Sequence, residues 1–193
     1  MNEKKIIVFG SNGLVGSSIV RKLSLNDKFE VFPSTRKDTN LFNIDEVKST
    51  LNTVNPDVVI IAAAKVGGIH ANNTQRVEFL IENLKINMNI FEACIENPNI
   101  HIINLGSSCI YPLNSPNPIS EKEFMNGVLE KTNSPYAMAK LTSIELADAM
   151  KIQFGHKITN LMPTNLYGPN DNFSLEFSHV IPGLIHRMHV AKV

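Results

Sequence analysis

Short, continuous apolar runs alternate along the chain with longer segments in which apolar residues return every three or four positions. The runs read as strands and the spaced segments as helices. Lys5-Ile6-Ile7-Val8-Phe9 predicts a buried strand that ends at Gly10, and Val15, Ile19 and Leu23 then line one face of a helix. Phe29 to Pro33 predicts a second strand, Asp45 to Val54 a short helix, and Asp57 to Ala64 a third strand. Because that third run lacks polar alternation, it predicts a parallel strand covered on both faces.

One long helix is expected from about Gln75 to Glu96, stopped by Asn97-Pro98, and His101 to Leu105 gives the next strand. A loop marked by Pro112, Pro116 and Pro118 precedes a helix that starts near Pro135, a residue suited to a first turn, and runs to Phe154 before Gly155. Lys157 to Met162 predicts a further strand, Pro163 to Ser178 a loop, and His179 the start of a last helix. Strands alternating with helices make an α/β chain with a doubly wound parallel sheet and right-handed crossovers.

Composition removes whole classes of function. Eighteen Lys and Arg balance eighteen Asp and Glu, and no basic stripe suits a phosphate backbone, so nucleic acid is not expected as a partner. The first apolar run is too brief for a signal or membrane segment, which makes a cytoplasmic protein the expectation. The two cysteines, Cys94 and Cys109, are not expected to pair, and no cluster suggests a metal. Cys94 lies in an apolar helical stretch and reads as a small core residue.

The chemistry gathers at predicted strand ends, where open α/β sheets hold their ligands. Gly10-Ser11-Asn12-Gly13-Leu14-Val15-Gly16 follows the first strand and opens the first helix. Its glycines permit a tight turn, close approach of a pyrophosphate and close helix packing. After the second strand, Pro33-Ser34-Thr35-Arg36-Lys37 offers no carboxylate before Arg36 for a ribose hydroxyl. Its two cations suit a 2′-phosphate, so NADP is preferred over NAD; a solvated basic turn is the alternative. Tyr136 and Lys140 form YxxxK on one helix face, where an ammonium is expected to lower the phenol pKa toward neutrality for proton donation. Gly10, Ala63 to Lys65, Ser107 and Thr164-Asn165 fall at four strand ends, and a shared crevice explains them better than packing does.

This combination resembles the extended short-chain dehydrogenase/reductase family, whose nucleotide domain is Rossmann-like. Ala62 to Ile69, Leu105 to Pro112, Pro163 to Pro169 and Ser178 to Pro182 are similar to its GDP-L-fucose synthase branch. The resemblance implies an NADPH-dependent, bifunctional reaction: GDP-4-keto-6-deoxy-D-mannose is epimerised at C3 and C5, then reduced at C4 to GDP-L-fucose. It implies that Cys109 and His179 move protons, that Ser107 and Tyr136 bind the C4 oxygen, and that Lys140 holds the nicotinamide ribose. Leu105, Gly106, Ser108, Pro163, Thr164, Asn165, Leu166 and His179 would join the glycine loop and Arg36 in lining the cofactor, and Arg187 would contact the GDP phosphates. Asn12 stands where the family carries a basic residue.

The resemblance further implies a homodimer, a cofactor domain over residues 1–178 and the start of a substrate lobe over 179–193, the rest of that lobe lying beyond Val193. Two other readings stay open here: an NADP-binding fragment or partner subunit without turnover, and another nucleotide-sugar epimerase of the same family.

Overall fold

A computed structural model describes residues 3–174 and 177–192; Met1, Asn2, Leu175, Glu176 and Val193 lie outside the described residues. Five strands form its sheet: β1 Lys4–Phe9, β2 Phe29–Ser34, β3 Val58–Ile61, β4 His101–Leu105 and β5 Ile158–Leu161. All pair in parallel, in the order β2-β1-β3-β4-β5. The helices between them are α1 Leu14–Leu23, α2 Ile44–Val54, α3 Ile69–Thr74, α4 Arg76–Cys94 and α5 Ser134–Phe154, with α6 Val180–Ala191 after the last strand.

The unbroken apolar strands are covered on both faces, as expected. On one face Ile7, Phe9, Val59, Ile61 and Ile102 pack with Val47 and Leu51 of α2, Ile86, Ile90 and Phe91 of α4, and Ala147 and Met150 of α5. On the other, Ile6, Val8 and Ile60 meet Ile19, Val20 and Leu23 of α1. Cys94 is fully buried in the first cluster, where loss of hydration pushes its thiol up to about 12. It is therefore a core residue rather than a nucleophile.

Two regions differ from the sequence reading by more than an end residue. The third strand stops at Ile61 because the chain beyond it bends into a loop clasped by the 1% exposed Asn83. The Asn83 side chain accepts from the Lys65 N–H at 2.9 Å and donates to the Lys65 carbonyl at 3.0 Å. The expected long helix is found as α4, beginning one residue later at Arg76, but a short helix that was not expected, α3, precedes it across Gln75, which has φ −116° and ψ 43°. This short helix is tied to its own entry loop: Asn72 Nδ2 donates to the carbonyls of Gly67 at 2.7 Å and Gly68 at 3.1 Å.

Candidate active site

The strand order turns back between β1 and β3, and in open α/β sheets the ligand crevice lies outside the strand ends at that switch point. Gly10 ends β1 there with φ +81°, and a Cβ on it would stand 2.6 Å from the Ala63 nitrogen. A Cβ on Gly16 would collide with the Gly10 carbonyl oxygen. Only glycine allows both the turn, close against the chain after β3, and the approach of α1 to the end of β1. Gly13 is different, since its Cβ would meet nothing nearer than 3.5 Å. It begins α1 without a side-chain cap, and among the described residues the N–H groups of Leu14, Val15 and Gly16 have no protein acceptor. Free N–H groups at the positive end of a helix form an anion site. Ser11 is buried and Asn12 exposed beside them.

Arg36 and Lys37 are exposed just beyond β2, and the Arg36 guanidinium lies 5.0 Å from the centroid of the Phe42 ring. The nearby acid, Asp38, is engaged elsewhere. It accepts from the Thr35 hydroxyl at 2.6 Å and the Thr35 N–H at 2.8 Å, which hold its carboxyl below the usual value. Among the described residues no carboxylate pairs with the guanidinium, which can therefore meet an anion from solvent.

At the end of β4, the Gly106 N–H donates to the Leu161 carbonyl at 2.8 Å and the Ser108 N–H to Pro163 at 3.1 Å, which locks this turn to the segment after β5. Ser107, Ser108 and Cys109 are half-buried in the turn, and Ser107 Oγ accepts from the Cys109 N–H at 3.3 Å. Tyr136 comes from the first turn of α5. Its ring meets Phe79 edge-on at 6.4 Å, and its phenol faces both Ser107 and Cys109. Lys140, one turn on, donates to the Leu105 carbonyl at 2.7 Å and lies 5.8 Å from the Tyr136 ring centroid. The geometry unites Ser107, Cys109, Tyr136 and Lys140 in one cluster.

The expected direction of the Tyr136 pKa is reversed. Burial, then the neighbouring Cys109, push the phenol up to about 12, against a smaller downward pull from the Ser107 hydroxyl. Lys140 does not offset this because it is 2% exposed itself, and burial brings its own pKa down to about 8. In the ligand-free protein Tyr136 therefore keeps its proton, as a donor to an oxyanion must.

His179 stands half-exposed at the start of α6, with Nδ1 4.0 Å from Oδ1 of Asp171. Its segment is seated against the β3 loop: a Cβ on Gly68 would stand 2.5 Å from the Ser178 carbonyl oxygen, and the Gly68 N–H donates to the Phe177 carbonyl at 3.2 Å. Thr164, Asn165 and Leu166 are exposed after β5, with Pro163 half-buried. Arg187 is used within α6, donating from Nε to the Gly183 carbonyl at 3.3 Å. Arg36 and Arg187 lie outside the Ser107–Tyr136 cluster, at the β2 end and on α6.

Three residues were missed by sequence reasoning. Asp171 is hidden in the turn-like run Gly168-Pro169-Asn170-Asp171 and reads simply as loop. Asn83 and Asn104 are polar residues in apolar segments, and that mismatch was the available signal. Asn104, fully buried in β4, donates to Ser143 of α5 at 3.2 Å and Asn160 of β5 at 2.9 Å, fixing those elements beneath the cluster.

The chain is 47% identical over 189 residues to GDP-L-fucose synthase 1 of Arabidopsis thaliana, covering 98% of this chain and 58% of that protein. It is 42% identical over 191 residues to GDP-L-fucose synthase of Escherichia coli strain K12, covering 99% of this chain and 60% of that one. A solved GDP-L-fucose synthetase of Naegleria fowleri, bound to NADP, is similar with a TM-score of 0.85 at 31% identity, over 99% of this chain and 63% of that chain. The chain thus spans about 58–60% of the length of these curated relatives. The epimerase family description matches residues 6–193, and the chain belongs to the NAD dependent epimerase/dehydratase family.

Proposed function

We propose that this chain carries the cofactor and catalytic residues of an NADPH-dependent enzyme that epimerises GDP-4-keto-6-deoxy-D-mannose at C3 and C5 and reduces it at C4, giving GDP-L-fucose. The observation that carries the reading is the cluster of Ser107, Cys109, Tyr136 and Lys140 at the end of β4. Its support is the likeness to relatives named for GDP-L-fucose synthesis.

The open N–H groups of α1 fit a dinucleotide pyrophosphate, and the unengaged Arg36 fits a 2′-phosphate. NADPH supplies a hydride to C4 when bound. Pro163, Thr164, Asn165, Leu166, Leu105, Gly106 and Ser108 would border it, and Lys140 would turn from the Leu105 carbonyl to the ribose.

The C4 ketone acidifies the C–H bonds at C3 and C5. Loss of either proton sends its electron pair to the C4 oxygen, where Ser107 and Tyr136 donate hydrogen bonds to the enolate. Cys109 and His179 are the two proton carriers, one removing and one returning a proton on the opposite face. In the reduction, Tyr136 gives its proton to the C4 oxygen as the hydride arrives.

Residues 179–193 are read as the start of the substrate lobe, with Arg187 for the GDP phosphates. The exposed apolar Val180, Leu184 and Met188 of α6 support a lobe that covers them. Val77, Ile81 and Met88 expose an apolar face on α4 that supports a homodimer. Among the described residues no helix is long and apolar enough to cross a membrane, and a cytoplasmic enzyme fits the substrate.

The test uses protein encoded by the complete reading frame, in D2O with the keto sugar and NADPH. Cys109→Ser is expected to slow deuterium entry at C3 and C5 at least tenfold while leaving C4 reducible. Tyr136→Phe is expected to impair chiefly the reduction. Normal deuterium entry in the Cys109 variant would sink its assigned role.

A further inference from the structure

Asp171 sits in a loop built for one geometry. Gly168 has φ +158° and Asn170 a left-handed φ of +66°, while Asn170 Nδ2 donates to Ser17 Oγ of α1 at 2.9 Å. The Asp171 N–H donates to the Gly168 carbonyl at 3.3 Å, and its Oδ1 accepts from the Asn172 N–H at 2.7 Å. A non-glycine residue held at positive φ carries strain that its surroundings must offset. The result is a carboxylate with a side chain only 6% exposed. Its Oδ2 is buried without any hydrogen-bond partner among the described residues. The carboxylate borders a cleft of about 270 Å³ whose lining is otherwise apolar, with Tyr167, Pro169, Phe173, Ile181, Pro182 and Ile185.

Burying a carboxylate with one oxygen left without a donor is costly, and the cation-capable side chain that faces the group is His179, whose Nδ1 is 4.0 Å from the other oxygen, Oδ1. His179 in turn occupies the position just before α6, with its Nδ1 side turned toward the carboxylate. The distance is longer than a hydrogen bond, as is common before a ligand closes a site.

We infer that Asp171 is the positioning residue for His179: it holds the ring with Nδ1–H toward the carboxylate, leaves Nε2 for proton exchange with the substrate, and balances the charge when Nε2 takes up a proton. This rests on the role proposed above for His179. Gly68, against Ser178, and the Gly183 N–H, donating to the His179 carbonyl at 3.0 Å, fix the backbone from which the ring extends.

The ring tautomer is the readout, because packing alone would not choose it and it needs no turnover. Histidine nitrogen shifts in labelled protein above neutral pH are expected to show His179 mainly as the Nδ1–H form, and Asp171→Asn to reverse that preference toward Nε2–H. His101, His156 and His189 serve as unmoved internal controls. A His179 that is mainly Nε2–H in the unaltered protein, or unchanged in the variant, overturns the inference.

Deuterium entry at C3 and C5 is measured on the same variants, with NADPH affinity as the control for folding. Asp171→Asn is expected to slow it tenfold or more, Asp171→Glu to recover part of the loss, and Asp171→Asn added to His179→Gln to cost less than twofold further. If His179→Gln itself leaves exchange intact, the functional reading of His179 fails while the tautomer result judges the pairing. If His179→Gln slows exchange and Asp171→Asn does not, the inference alone fails.

Discussion

Lys140 is 2% exposed, donates to one backbone carbonyl, and has no carboxylate partner among the described residues. Burial lowers its pKa from the usual 10.5 to about 8, so between those values the unfolded chain binds a proton that the native chain does not. Stability therefore rises with pH across that window and is lowest, as far as this residue is concerned, below pH 8. Lys140→Met should be no less stable than the unaltered chain at pH 7.5 in urea unfolding. The unaltered chain should gain about 2 kcal/mol on the variant by pH 10. A variant that is clearly less stable at pH 7.5 would contradict the unpaired, costly ammonium.

Cys94 is buried, as sequence reasoning expected, and Cys109 is half-buried. A thiol reagent should label one cysteine per native chain, Cys109, and two after denaturation. Labelling of Cys94 at a comparable rate would mean that the core around α4 opens. What spacing could not reveal was the titration of Tyr136. YxxxK places an ammonium near the phenol, but Phe79 and the surrounding burial decide the outcome, and they come from elsewhere in the chain.

Among the elements, the strand–turn–helix units were legible because period and punctuation agree. His101–Leu105 is found as read, and β1, β2, β5 and α5 differ by single residues at their ends. The start of α4 was legible to within a residue, but the short α3 before it was not: it is tied to its own entry loop by Asn72, a contact that apolar spacing does not show.

Arg76, just past that break, reaches 55 to 58 residues along the chain, donating to the carbonyls of Lys131 at 2.8 Å and Thr132 at 3.1 Å and to Ser134 Oγ at 3.2 Å. It clamps the entry to α5 that carries Tyr136. Arg76→Ala should speed hydrogen exchange in the first turn of α5 while leaving β1 and β3 protected; unchanged exchange there would remove the clamp. Gly16→Ala should be harsher, costing more than about 2 kcal/mol because the added methyl meets backbone that cannot yield. A stability loss below about 0.5 kcal/mol would show that α1 can move away from β1.

Across the whole molecule, the switch between β1 and β3 gathers residues far apart in sequence: the α1 N-terminus, the β3 loop, Ser107 at the β4 end, and Ser178, next to His179, seated on Gly68. The common edge of these strand ends was legible in the sequence because polar and glycine residues follow four apolar strands. Asp171 was not, because its burial depends on a loop held by Ser17 of α1 at a separation of 153 residues.

Cofactor choice tests this arrangement most directly, since it joins the anion site of α1 to the free guanidinium beyond β2. NADPH should bind the purified chain in a fluorescence titration. Loss of one guanidinium contact to phosphate, about 1.5–3 kcal/mol, means that Arg36→Ala should weaken NADPH at least tenfold and leave NADH nearly unchanged. Absence of NADPH binding, or an equal loss for both cofactors, would contradict it.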